Sequence, residues 1–110
     1  MKELKFVQTG GPYGDATCDY NVLFNGPLTL RYFLEVIGTR NEWGRVDYCT
    51  EPPPGNLLDG RTVLKYKHNQ VTYRNEDLWN KIADKEIRCI YANGGYTAMD
   101  YRIWLEDDFK

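Results

Sequence analysis

The stretch of this chain with the most potential for chemistry runs from Arg61 to Asn75. It holds Arg61, Lys65, Lys67 and Arg74 and no acid, in a chain of 110 residues whose formal net charge is −2. Tyr66 and Tyr73 interleave these cations. Cationic side chains beside aromatic rings hold phosphates and stack bases, so this hairpin is a candidate anion site of nucleotide type. A plainer reading stands beside it and is the favoured one. Lys65 and Lys67 can simply occupy the solvent face of an edge strand, where charge discourages pairing with another chain.

Two glycine-rich stretches could bring backbone close to a ligand. "GGPYGD" at 10–15 offers Tyr13 as a stacking ring, but it leads into a strand pattern rather than a helix. The phosphate-binding loops of nucleotide folds need a helix N-terminus there. "YANGGYTAMDY" at 91–101 sets Tyr91 and Tyr96 around a turn signal. With Asn93 and Gly94 central in a type I′ turn, Tyr91 faces Tyr96 across the hairpin. With Gly94 and Gly95 central the register slips and the buried face exchanges. The ligand candidates are therefore Tyr13, Arg61, Lys65, Tyr66, Lys67, Tyr73, Arg74, Tyr91 and Tyr96.

Catalytic and metal chemistry find little support. His68, the single histidine, falls at the expected hairpin tip, where no orienting partner surrounds it; nucleophile–histidine catalysis needs one. The acids are dispersed, and no run of oxygen or nitrogen ligands has metal-site spacing. No catalytic residue, metal or cofactor is assigned. Cys18, Cys49 and Cys89 are odd in number, far apart and free of any C-x-x-C pair, and they read as buried, reduced, inert side chains.

The elements that must position these residues follow from periodicity. The length suits one domain spanning 1–110, and 42% hydrophobic with 27% charged residues marks a globular chain. "ELKFVQ" reads as a strand, and "CDYNVLF" alternates as a half-buried one. "LTLRYFLEVIG" is the main helix, with Leu30, Phe33, Leu34 and Ile37 on one stripe, Thr29 as N-cap, Leu28 and Phe33 as a hydrophobic staple and Gly38 as the stop. "EWGRVDYCT" returns as a strand, and "EPPPGNLLDG" is a stiff connecting loop. "RTVLKYKHNQVTYRN" is a hairpin turning at "HN". Asn75 caps a short helix over "EDLWNKIADK" with Leu78, Trp79 and Ile82 inward, a second hairpin closes the chain, and "EDDFK" frays. The order β-β-α-β-β-β-α-β-β predicts an α+β fold: a twisted, mainly antiparallel sheet of hairpins, one main helix packed on a face, and a second short helix. It lacks the βαβ alternation of doubly wound folds.

The segments "PLTLRYFLEVI", "EWGRVDY" and "GGYTAMDYRI" resemble small uncharacterised proteins of gut bacteria and their phages. That resemblance implies no activity or site, only an origin in a mobile element, where compact proteins act by binding a host component. Nine Tyr and three Trp exceed what so small a core can fully bury, which points to a contact surface. The first expectation is a non-catalytic binding module with a protein partner or self-association. The second is a small-molecule binder that sequesters a nucleotide or nucleotide-derived signal through the basic-aromatic hairpin. An enzyme whose site assembles from distant residues comes third. Net charge gives no general attraction to nucleic acid, and no apolar run is long enough to span a bilayer. "MKELKFVQ" is too charged for a signal peptide, so a cytoplasmic location is expected.

Overall fold

The computed structural model describes residues 2–9, 18–24, 27–35, 43–52, 61–68, 70–94 and 98–109. Among these residues seven strands and two α-helices follow in the order β1 (Lys2–Thr9), β2 (Cys18–Phe24), α1 (Leu30–Phe33), β3 (Trp43–Tyr48), β4 (Arg61–Lys67), β5 (Gln70–Arg74), α2 (Glu76–Ile82), β6 (Ile87–Gly94) and β7 (Ala98–Leu105). The element order matches the expected one. The glycine loop at 10–15 with Tyr13, Ile37 of the helix stripe, the stop at Gly38, most of the proline loop and Tyr96 lie outside the described residues.

The strands form one mixed sheet in the order β2-β1-β6-β7-β3-β4-β5. Antiparallel pairing joins β1 to β2, β6 to β7, β3 to β4 and β4 to β5. Two pairings are parallel, β1 with β6 and β3 with β7. The hairpin description of the sheet misses these two because each joins strands far apart in the chain, with no turn between them to announce the pairing. The β6–β7 hairpin is thus flanked by the β1–β2 pair on one side and by the three antiparallel strands β3, β4 and β5 on the other.

Both helices lie over one face. Thr29 caps α1 by accepting from the Tyr32 backbone N–H at 3.2 Å, and Leu28 and Phe33 are fully buried, as a staple requires. The start of α1 is stitched to the α2–β6 connection: Arg31 N–H donates to the Ala83 carbonyl at 2.9 Å and Ile87 N–H to the Leu28 carbonyl at 2.8 Å. Asn75 caps α2 by accepting from Leu78 N–H at 3.2 Å, and Leu78, Trp79 and Ile82 turn inward. Beneath the helices the sheet presents Val46, Leu64, Tyr66, Ile90, Ala92, Tyr101 and Ile103, which with Phe33 make the main core. The Phe33 ring meets Tyr101 edge-on, with centroids 5.2 Å apart. Among the described residues no helix is long and apolar enough to cross a membrane.

Two local expectations need correction. In the closing hairpin Tyr91 pairs with Arg102, Asn93 with Asp100 and Gly94 with Met99, so neither Asn93–Gly94 nor Gly94–Gly95 is the centre of the turn. The strands run on past the "NG" signal. Gly94 is needed for another reason: its φ of 147° is one that side chains rarely adopt, and a Cβ there would strike the Ala98 carbonyl. The acidic end does not fray either. Residues Glu106–Phe109 form a 3₁₀ turn. Glu106 N–H donates to the Glu86 carbonyl at 2.9 Å, Lys85 Nζ to Asp107 at 3.0 Å and the Tyr48 hydroxyl to Asp108. Each of the three acids is thus tied to the folded body, Glu106 by its backbone N–H and by the Arg88 guanidinium 3.7 Å from its carboxylate, Asp107 and Asp108 by donors to their carboxylates.

Candidate binding face of the sheet

Strand alternation sends every second side chain to the opposite face of the sheet, away from the helices. On β3 these are Trp43, Arg45 and Asp47, on β4 Lys65 and Lys67, and on β5 Tyr73. Register aligns them in rows. Trp43 pairs with Lys67, while Arg45 pairs with Lys65 and with Asp100 of β7, and Lys65 pairs with Tyr73. Lys67 Nζ stands 5.9 Å from the Trp43 ring centre and Lys65 Nζ stands 6.0 Å from that of Tyr73. Both rings are open to solvent, Trp43 at 52% and Tyr73 at 48% of their surface. An ammonium within about 6 Å of a ring face is attracted by the ring quadrupole. Among the described residues no carboxylate pairs with Lys65 or Lys67, whereas Arg31, Arg45, Arg74, Lys85 and Arg88 each have one.

Towards β7 the face changes character. Asp47 is only 6% exposed. A carboxylate so placed needs partners to offset its lost hydration, and it has them: Arg45 Nε at 3.2 Å and the Thr62 hydroxyl, donating at 3.0 Å. Asp100 lies 3.6 Å from the same guanidinium nitrogen. Beyond this network is a small apolar island of Cys49, Cys89 and Trp104, with Tyr91 and Phe109 against it. The Trp104 indole N–H donates to the Glu51 carbonyl, and Tyr91 meets the Trp104 ring edge-on at 5.2 Å. Burial pushes the Cys89 thiol up to about 11, so it stays protonated and unreactive at neutral pH.

Of the nine ligand candidates, the structure brings together Lys65, Lys67 and Tyr73, with Tyr91 farther along the same face. Tyr66 does not join them. It is buried beneath the helices, its hydroxyl donates to the Met99 carbonyl at 3.4 Å, and burial raises its pKa. Its ring lies over Gly44, where a Cβ would collide with it. Arg61 stacks on Tyr48 at 5.5 Å. Arg74 is held by Glu76 at 2.8 and 3.1 Å and lies over Trp79 at 5.2 Å, on the helix side. Sequence reasoning passed over Trp43, although the alternation of Trp43, Arg45 and Asp47 against Gly44, Val46 and Tyr48 places it beside Lys67 once β3 and β4 are paired.

A cleft of about 280 Å³ lies on the helix side, lined by Arg31, Leu34, Leu64, Arg74 and Trp79 among others. It supplies its own counter-charges. Arg31 is held by Asp84 at 2.9 and 3.3 Å, an interaction that raises the arginine pKa and lowers that of the carboxyl. With Arg74 held by Glu76, an anion entering there would have to displace a bidentate carboxylate. Among the described residues no group of three His, Cys, Asp or Glu side chains could hold a metal ion. No family model, curated protein or solved structure matches this chain.

Proposed function

We propose that this protein is a non-catalytic binding module, and that the open face of its sheet holds a ligand of nucleotide type. A base lies on Trp43 or Tyr73, and phosphate sits between Lys65 and Lys67. One observation carries this reading: two ammonium groups on β4, without carboxylate partners among the described residues, stand between two exposed rings, Trp43 on β3 and Tyr73 on β5. Stacking a base on an aromatic side chain contributes about 1–3 kcal/mol.

The test is equilibrium binding of thymidine monophosphate, with inorganic phosphate as the control, to the native chain and to Lys65→Glu and Lys67→Glu. The native chain binds the nucleotide more tightly than phosphate, and each reversal weakens it at least about tenfold, with an affinity that falls as salt rises. Equal binding by native and reversed chains would refute the reading.

A protein partner is the second reading, favoured by one feature. All five residues of β5 are exposed, Val71 and Tyr73 included, at the edge of the sheet. An exposed edge offers unpaired backbone groups to a partner strand. Against it stands the irregularity at Lys65/Tyr66 in the β4–β5 register, of the kind that discourages edge pairing.

A further inference from the structure

We infer that the open face selects a single strand carrying at least two bases rather than a lone nucleotide. This inference rests on the reading of that face as a nucleotide-type site and adds the length of its ligand.

The register fixes the placing of the two rings. Trp43 pairs with Lys67, which pairs with Gln70; Arg45 pairs with Lys65, which pairs with Tyr73. Trp43 and Tyr73 are therefore two strands apart across the sheet and one side-chain row apart along it. With strands spaced about 4.8 Å and rows about 6.7 Å, the two positions are separated by about 12 Å. One base cannot lie on both rings. Bases stacked on each other are only about 3.4 Å apart, so a stacked pair cannot reach both rings either. What fits is a strand whose bases are splayed apart, each on its own ring, the arrangement in which single strands are read by aromatic side chains.

The lysines fit the same geometry. Lys65 and Lys67 occupy the strand between the two rings, with their ammonium groups near Tyr73 and Trp43 respectively. They lie where the backbone joining two such bases must cross, so each cation meets a phosphate of the connecting strand. The net charge of −2 does not oppose this, because among the described residues the acids of this face beside Arg45, Asp47 and Asp100, are both drawn to that guanidinium. The sheet supplies a short cationic strip with a stacking platform at each end, and nothing in that arrangement distinguishes one base from another. Binding is expected to be tolerant of sequence and sensitive to salt.

The experiment compares two probes of equal charge on the full chain: the trinucleotide pTpTpT, and the same strand with two of its three bases replaced by abasic sugars. The trinucleotide is expected to bind at least about tenfold more tightly, because it gains a second stacked base. Trp43→Ala and Tyr73→Ala should each erase that difference, while circular dichroism shows the fold intact. Equal affinity of the two probes, with binding still lost in Lys65→Glu, would overturn the two-base inference and leave the single-nucleotide reading standing. Failure of both probes and of thymidine monophosphate to bind would remove that reading as well and pass the face to a protein partner.

Discussion

The two faces of this sheet are made by the same strands, yet they obey different rules. Beneath the helices, Val46, Leu64, Ile90, Tyr101 and Ile103 are chosen by burial, and every polar atom there needs a partner, as the Tyr66 hydroxyl finds in Met99. On the opposite face, among the described residues, burial is confined to the island around Trp104 and to Asp47. The rest carries charge, in a graded way: the Arg45–Asp47–Asp100 network is internally paired, and Lys65 and Lys67 are left facing outward beside open rings. A core sets its residues by exclusion of water, whereas an open face that keeps large rings exposed is not explained by folding. That contrast is the reason for assigning function to the open face.

The largest effect that tests the contrast is on stability. Phe33→Ala empties the centre of the covered core and should cost about 3–5 kcal/mol, read as a lower denaturation midpoint. Trp43→Ala removes a larger side chain from the open face and should change stability by no more than about 0.5 kcal/mol. Comparable losses would mean that Trp43 is structural and would collapse the distinction between the faces.

A smaller effect comes from pH and involves one group from each side. Burial, reinforced by the Asp108 carboxylate, pushes the Tyr48 hydroxyl from 10.0 up to about 12. Burial against Trp104 pushes the Cys89 thiol from 9.0 up to about 11. In both cases the folded chain keeps a proton that the unfolded chain has released, so stability is complete below pH 9 and falls as pH rises from 9 towards 12. Urea midpoints at pH 8, 10 and 11 should decline in that order. Cys89→Ala should flatten the first part of the decline, and an unchanged slope would mean that the island beside the open face is not closed.

Much of the frame was legible because it is written in local patterns. Asn75 ahead of Glu76 and Asp77 announces the cap of α2, and the alternation in "CDYNVLF" gives β2 its limits. The alternation of Leu64 and Tyr66 against Lys65 and Lys67 also fixes Tyr66 as a core residue, a consequence the basic-aromatic composition obscured. What the sequence concealed depends on distance along the chain. Nothing near Trp43 signals that it will face Lys67, since that neighbour arrives only when β3 pairs with β4. The parallel joins β1–β6 and β3–β7 are likewise invisible to turn signals, and "NG" misplaced a turn because the strands continue pairing through it.

The three tryptophans report on the faces separately: Trp43 is open on the face away from the helices, Trp104 is fully buried on the same side, and Trp79, 7% exposed, lies beneath the arginines of the helix side. The most direct test is therefore a titration of ¹⁵N-labelled protein with pTpTpT, following the three indole N–H resonances. The Trp43 resonance should move progressively to saturation while those of Trp79 and Trp104 stay in place. A shift at Trp79 with Trp43 unmoved would place the ligand in the helix-side cleft and contradict the assignment of function to the open face.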